Sequence, residues 1–463
     1  MAVNSARMNM TEGPLLKKLL IYTLPVLATG VLQFLYNAAD TAVVGRFAED
    51  SETALAAVGS TGALYTLITG LFIGLSVGAN VSVSHAFGAG KEDHVKDVVH
   101  TAIAVSFVLG IIIGVFGFFM AKPLLGLMSV PDTVIDHSSL YMRTIFIGMP
   151  AQTCYNYGAA ILNARGDTKH PFYFLCVSGA LNVSLNLFFV IVCKLGVLGV
   201  AIATVASQYL AMILVLRLLV RLDDCCHLDL KGLYIRKDKL LKMIKIGLPA
   251  GIQGCLFSVS NVLIQSSING FGSVTMAANT AAANIDGIIY ISMNSFYHAA
   301  LAFTGQNAGA LRFDRIKKIC FQCLVLVVLF GAAIGSFCYF MGPHILPIFG
   351  VTGTPETSEV MRISMTRLLI VALPYFICGM QEVMSGVLRG MGASMVSMIV
   401  SLVGCCLFRV VWIYTVFAKW HSIEVLYYTY PISWIIVAAV DLICFAVLIR
   451  KRQNDFSEVA YDL

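Results

Sequence analysis

Asp40 is the residue best placed to carry chemistry in this 463-residue chain. It ends the segment Gln33-Phe34-Leu35-Tyr36-Asn37-Ala38-Ala39-Asp40, in which Gln33, Tyr36 or Asn37, and Asp40 are three or four residues apart. On a helix that spacing makes one polar stripe. An ionisable group inside an apolar run is expensive and by default functional. A carboxylate shielded from water with no cation beside it can take up a proton or exchange that proton for a metal ion. The competing reading puts Asp40 at the level of the lipid headgroups, beside Arg46. Further along, Ser178, Asn182 and Asn186 recur every four residues, as do Thr204 and Gln208. Their amide and hydroxyl oxygens suit Na⁺, and equally suit hydrogen bonds to a protonated Asp40. Asp40, Asn182 and Asn186 are therefore a candidate sodium site, and these three with Thr204 a candidate ion-coupling site. The plainer role for such residues is to join helices inside a membrane.

The second half has its own ladder, Asp286, Tyr290, Asn294 and His298, spaced by four, and Gln381-Glu382 later on. Asp286, Tyr290, Asn294 and Glu382, together with Tyr36 and Asn37, are candidates for binding a cationic substrate or a second proton. Structural carboxylates with satisfied partners are the alternative. Arg409 and Asp441 are further charges within apolar runs. Pro25 and Gly30 precede Asp40 on the same segment. Proline removes a backbone donor and crowds the preceding turn, so a kink is expected there. It is either a gate that couples ion occupancy to bending or a static bend.

The elements that must position these groups follow from composition. Hydrophobic residues make up 58% of the chain and charged ones 12%, with a mean hydropathy of +0.84. A soluble domain carries roughly twice that charge. The apolar runs are continuous, which excludes a membrane β-barrel with its alternating strands. Helices of about 20 residues are the expected form. Twelve spans are expected at 17–44, 54–82, 97–121, 136–160, 170–193, 197–221, 240–268, 277–303, 318–341, 360–386, 394–418 and 425–449. The net charge of +6 does not indicate nucleic acid. Most basic residues fall in short clusters between the runs, among them Arg7, Lys17-Lys18, Arg236 to Lys245, Arg312 to Lys318 and Arg450 to Arg452. That pattern marks the cytoplasmic side and puts both termini there. The stretch after Lys18 is too long for the core of a signal peptide and is expected to remain as an anchor.

An internal repeat divides the chain. Pro249 follows Pro25 by 224 residues, and Pro374 follows Pro150 by the same number. At that offset Leu16, Lys18, Leu24, Gly30, Leu32 and Asn37 meet Leu240, Lys242, Leu248, Gly254, Leu256 and Asn261. The expectation is two six-helix lobes, residues 1–222 and 240–463, joined by a basic cytoplasmic linker, 223–239. Six is even, so the copies share one orientation about an axis along the membrane normal. Of the 13 cysteines almost all lie in apolar runs as small hydrophobes. Cys320 and Cys323 form a C-x-x-C with no second pair at zinc-ligand spacing, and Cys225-Cys226 lies in the linker. The glycine-rich loops lack a Walker lysine or a Rossmann strand, so no ATP-driven step is expected.

At this level the sequence resembles the multidrug and toxic compound extrusion (MATE) family in a bacterial form, over roughly residues 10–450. The resemblance rests on Leu24-Pro25, Asn37-Ala38-Ala39-Asp40-Thr41, His85-Ala86-Phe87-Gly88-Ala89-Gly90, Ile161 to Thr168, Asn182 with Asn186, Gly199 to Thr204, Gly305-Gln306-Asn307-Ala308-Gly309 and Val387-Leu388-Arg389-Gly390-Met391-Gly392. It implies twelve helices in two lobes forming a V-shaped cavity, and export of amphipathic organic cations in exchange for H⁺ or Na⁺. Asp40 matches the family's N-lobe carboxylate, and Asn182, Asn186 and Thr204 match the polar positions beside it. In some members the Asn186 position is an aspartate, so this chain carries one negative charge fewer. Acids used by some members in the seventh and tenth helices are missing. The seventh reads Gln253-Gly254-Cys255-Leu256-Phe257, and Cys378 stands before Gln381. Coupling through the N-lobe is the better expectation.

The expected protein is thus an all-α polytopic membrane protein of the bacterial inner membrane. It is expected to work as a monomeric secondary antiporter with no cofactor beyond its coupling ion and no nucleic-acid partner. Its partners are the lipid bilayer and amphipathic organic cations. A lipid-linked saccharide flippase on a related scaffold is the alternative, but it calls for more inward arginines than Arg409, Arg143 and Arg367. A membrane enzyme would rest on His298, which lacks an acid–base constellation.

Overall fold

The computed structural model describes residues 8–47, 51–128, 130–354 and 358–461, so Arg7 lies outside the described residues. The described chain is almost wholly helical, as it must be where lipid cannot satisfy backbone N–H and C=O groups. Twelve long helical rods follow one another among the described residues. They are α1 (Leu15–Phe47), α2 (Ser51–Gly88), α3 (Glu92–Leu127), α4 (132–165), α5 (Lys169–Val192), α6 (Gly196–Arg221), α7 (Lys237–Asn269), α8 (Ser273–Gly309), α9 (Phe313–Phe340), α10 (Glu359–Gly390), α11 (Ser394–Phe417) and α12 (Ile423–Asn454). Ten are long and apolar enough to cross a membrane. The other two, α4 and α8, carry Asp136 and Arg143, and Asn279, Asp286 and Asn294. The protein is a polytopic all-α membrane protein, and each expected span coincides with one of these rods, running past it by a single residue at the ends of α5, α9 and α11. Most of the other rods overrun their spans by several residues because helical hydrogen bonding continues past the apolar stretch into polar ends. α3, for example, begins with Glu92 and Asp93, which favour a helix N-terminus.

The contacts divide the chain into two units: one contains Ala28–Gly251, the other Met10–Leu27 with Ile252 onward. The divisions fall inside α1 and α7 at positions 224 residues apart, two residues beyond Pro25 and Pro249. α1 stays helical through Pro25 and Gly30. The sequence repeat is also visible in α4 and α10. α4 breaks at Gly148, between Asp132–Ile147 and Met149–Arg165, beside Pro150. α10 passes through a wide π-turn at Leu368–Ala372 and leaves helical geometry at Pro374. Each proline withholds a donor from its helix, so equivalent breaks arise at equivalent places.

In the first unit, α3 packs on α2 and α4, and α5 on α6. Gly74 and Gly78 of α2 face Gly251 and Gly247 of α7, and a Cβ on Gly74 or Gly78 would strike α7 backbone. Small residues four apart on both helices permit this close approach, a packing mode that replaces the hydrophobic effect inside lipid. In the second unit α8 packs on α9 and α10, and the stretch Ala299–Ala308 of α8 is buried throughout. No disulfide joins any of the described cysteines, and Cys320 and Cys323 are buried in α9. Cys320 lies 3.5 Å from the sulfur of Met384, as a packed thiol does.

Candidate functional site

The carboxylate of Asp40 lies on the C-terminal half of α1, half-buried, and among the described residues forms no ion pair with Arg46 or any other cation. Its Oδ1 accepts from Nδ2 of Asn186 at 2.5 Å. The same nitrogen donates to Oδ1 of Asn182 at 3.2 Å. Nδ2 of Asn182 lies 3.5 Å from the hydroxyl of Thr204, which in turn donates to the Val200 carbonyl at 2.9 Å. Four-residue spacing on α5 puts the two asparagines one turn apart, and α6 brings Thr204 alongside, so the polar stripes read from the sequence meet as one relay. Asn186 is wholly buried behind Asp40, while Asp40, Asn182 and Thr204 line a cavity of about 300 Å³ within the first unit.

Tyr36 and Asn37 line the same cavity. Tyr36 donates its hydroxyl to the Leu175 carbonyl at 3.1 Å, and its ring occupies the space where a side chain at Gly179 would begin. The sequence reading did not single out Tyr65 and Gln152, which also line this cavity and are joined by a 3.0 Å hydrogen bond from the Gln152 amide to the Tyr65 hydroxyl. The signal available was the polar spacing Gln152, Tyr155 and Asn156 within the fourth span. Three amide oxygens here are buried without a hydrogen-bond partner among the described residues: Oε1 of Gln152, Oδ1 of Asn186 and Oε1 of Gln208. Buried acceptors are nearly always paired, so a cluster of orphans beside a carboxylate is a place for a donor or a cation.

The candidate residues of the second unit have other surroundings. Asp286 on α8 is held by Arg367, with Oδ2 accepting from Nη2 at 2.8 Å and from Nε at 3.0 Å. Arg367 also donates to Oδ1 of Asn279 and stacks over the rings of Tyr427 and Tyr430. Both members of this pair are buried, so Asp286 already has its counter-ion. Tyr290 is exposed, and its hydroxyl lies 3.4 Å from Nδ2 of Asn294. Glu382 is half-buried on α10. Arg409 donates to Asn261 and Ser433 and lies over Tyr430, while Asp441 is fully buried and neither of its oxygens has a hydrogen-bond partner among the described residues.

Residues 25–188 and 249–415 match the MatE family model, one match on each side of the repeat. The chain belongs to the MatE family. Its two matched segments begin at Pro25 and Pro249, the prolines that announced the duplication. Among relatives of the MatE chain, a probable multidrug resistance protein of Bacillus subtilis, YoeA, is 28% identical over 389 residues, 82% of each chain. A probable multidrug resistance protein NorM of Thermotoga maritima is 23% identical, covering 84% of this chain and 82% of its own. The fold is that of an outward-facing multidrug resistance MATE transporter, with a TM-score of 0.88 over 96% of this chain and 98% of that one at 20% identity. This MatE chain is therefore a transporter of the multidrug efflux family, with the two-lobe helical fold of that family, and not an enzyme.

Proposed function

We propose that this MatE protein is a secondary antiporter that exports amphipathic organic cations in exchange for H⁺ or Na⁺, with Asp40 as the residue that takes the ion. The observation that carries the reading is the Asp40–Asn186 contact: a half-buried carboxylate whose described partner is an amide, not a cation. An uncharged partner leaves the negative charge to be neutralised by whatever enters the cavity. A protonated Asp40 needs an acceptor, and a half-turn of the Asn186 amide about its Cβ–Cγ bond offers the orphan Oδ1 in place of Nδ2. A sodium ion would find carboxylate and amide oxygens, the hard donors such ions prefer. A cationic substrate would be drawn to the same charge and to the rings of Tyr36, Tyr65 and Tyr155. Ion and substrate then compete for one carboxylate, which is sufficient for exchange when each favours a different state. We place the protein in the bacterial inner membrane as a monomer with both termini in the cytoplasm.

The test is export of ethidium, a fluorescent cationic dye, from proteoliposomes under separately imposed pH and sodium gradients. Export driven by one of these gradients is expected. Asp40→Asn should lower it by about 5- to 150-fold, the range of ordinary coupling energies. Full gradient-driven export by Asp40→Asn would overturn the assignment.

A further inference from the structure

The linker between α6 and α7 reads Leu222-Asp223-Asp224-Cys225-Cys226-His227, and it folds back onto the first unit rather than hanging free. Leu222, Cys226 and Leu228 are buried in that unit's core, and the Leu228 amide donates to the Leu219 carbonyl at 3.1 Å. Asp224 fixes the turn: its Oδ1 accepts from the Cys226 amide at 2.9 Å, and its Oδ2 accepts from Nε of Arg165 at 2.7 Å. Two neighbouring cysteines and an aspartate thus converge, with one carboxylate oxygen and both sulfurs within 4.8 Å of one another. We propose that Asp224, Cys225 and Cys226 form a binding site for one divalent thiophilic cation of the zinc class.

Geometry and charge both favour such an ion. Two sulfurs around a tetrahedral zinc, each about 2.3 Å from the metal, stand roughly 3.8 Å apart. The observed cluster needs only a small closure to reach this. Each carboxylate oxygen of Asp224 makes one hydrogen bond and keeps a second lone pair for a metal. Water completes the coordination from the side of Cys225 and Asp224, which are only partly buried. In binding, two S–H bonds break, two metal–sulfur bonds form, and two protons leave to water. One divalent ion replacing two protons leaves the local charge unchanged, whereas a monovalent ion would leave an added negative charge. The surroundings are already balanced in a way that favours the first outcome. Arg165 is wholly buried, pairs with Asp224 and lies 3.8 Å from Asp167, and its Nη1 and Nη2 make no hydrogen bond among the described residues. A buried guanidinium with unused donors is a suitable neighbour for a dithiolate.

The experiment uses the purified full-length protein in detergent, reduced and stripped of metal, titrated with Cd²⁺ as the probe. The expected result is a thiolate-to-cadmium charge-transfer band that saturates at one equivalent and is displaced by Zn²⁺. Cys225→Ser with Cys226→Ser should abolish the band, and Asp224→Asn should weaken binding by about tenfold or more. Cys193→Ser, which removes an exposed thiol elsewhere, should leave the band intact. Thermal unfolding of each variant establishes that it is folded, and a folded Cys225→Ser single variant serves if the double variant is not. Absence of stoichiometric uptake by the wild type, or an undiminished band in a folded cysteine variant, would overturn the proposal.

Discussion

Nδ2 of Asn186 reaches Oδ1 of Asp40 across 146 positions of sequence, at 2.5 Å, and the same nitrogen holds Asn182 one turn away. The carboxylate on α1 is thereby tied to α5 through a group that can donate or accept but carries no charge.

Replacing Asn186 with leucine removes the donor from Asp40 and from Asn182 together. Hydrogen bonds to charged groups contribute about 1.5–3 kcal/mol, so a coupling loss of at least about tenfold is expected. Asn186→Asp instead places a second carboxylate beside the first. It should retain transport and raise its dependence on sodium, because two negative charges favour a bound cation over a single proton. Ethidium export at varied sodium concentration separates the two variants, and an unchanged sodium requirement in Asn186→Asp would count against a shared ion site.

Gly179 makes room for Tyr36. Gly179→Ala should destabilise the protein by about 1–3 kcal/mol through overpacking, read as a lowered unfolding temperature in detergent. Shortening the opposing side chain in Gly179→Ala with Tyr36→Leu should recover much of that loss. A tolerated single substitution would mean that the ring moves aside freely.

Arg367 and Asp286 are a buried pair, and removing one charge strands the other. Arg367→Met is expected to cost about 3–5 kcal/mol, whereas the combined change with Asp286→Asn should cost far less. The thermal stability of the three variants forms a double-mutant cycle. Costs of the two single changes that simply add in the combined variant would show that Asp286 does not depend on this arginine.

Pro25 leaves the Ile21 carbonyl without its usual partner inside α1. Pro25→Ala restores that hydrogen bond. The expectation is an unfolding temperature equal to or above that of the wild type, with ethidium export reduced because α1 bends less readily. Normal export by a stabilised Pro25→Ala would reduce the proline to a static feature.

Much of this was legible in the sequence because the membrane limits the choices. Continuous apolar runs forced helices, and four-residue spacing placed Asn182 and Asn186 on one face. The matched prolines announced the duplication, whereas the breaks they impose on α4 and α10 are visible only in the folded chain. What periodicity could not supply was contact between distant helices. Asp286 and Asp40 look alike as lone acids in apolar runs; the resemblance already put Asn186 beside Asp40, but only the folded chain sets Arg367 beside Asp286. Tyr65 and Gln152 were hidden for the same reason, since neither stands in a long polar ladder. The vicinal thiols Cys225 and Cys226 could be placed in the linker from the sequence, but only the fold brings Asp224 against them.

The pairing of Asp286 with Arg367 has a bearing on energetics. With that acid already neutralised and Asp40 the carboxylate lining its cavity, a cycle in which Asp40 alone takes the exchanged ion trades one proton or sodium ion for one substrate. A monocation leaving for one monovalent ion entering moves no net charge across the bilayer. Such a cycle is electroneutral and draws on concentration differences alone. A doubly charged substrate would instead have to be expelled against the transmembrane voltage, at about 2.3 kcal/mol for the extra charge per 100 mV.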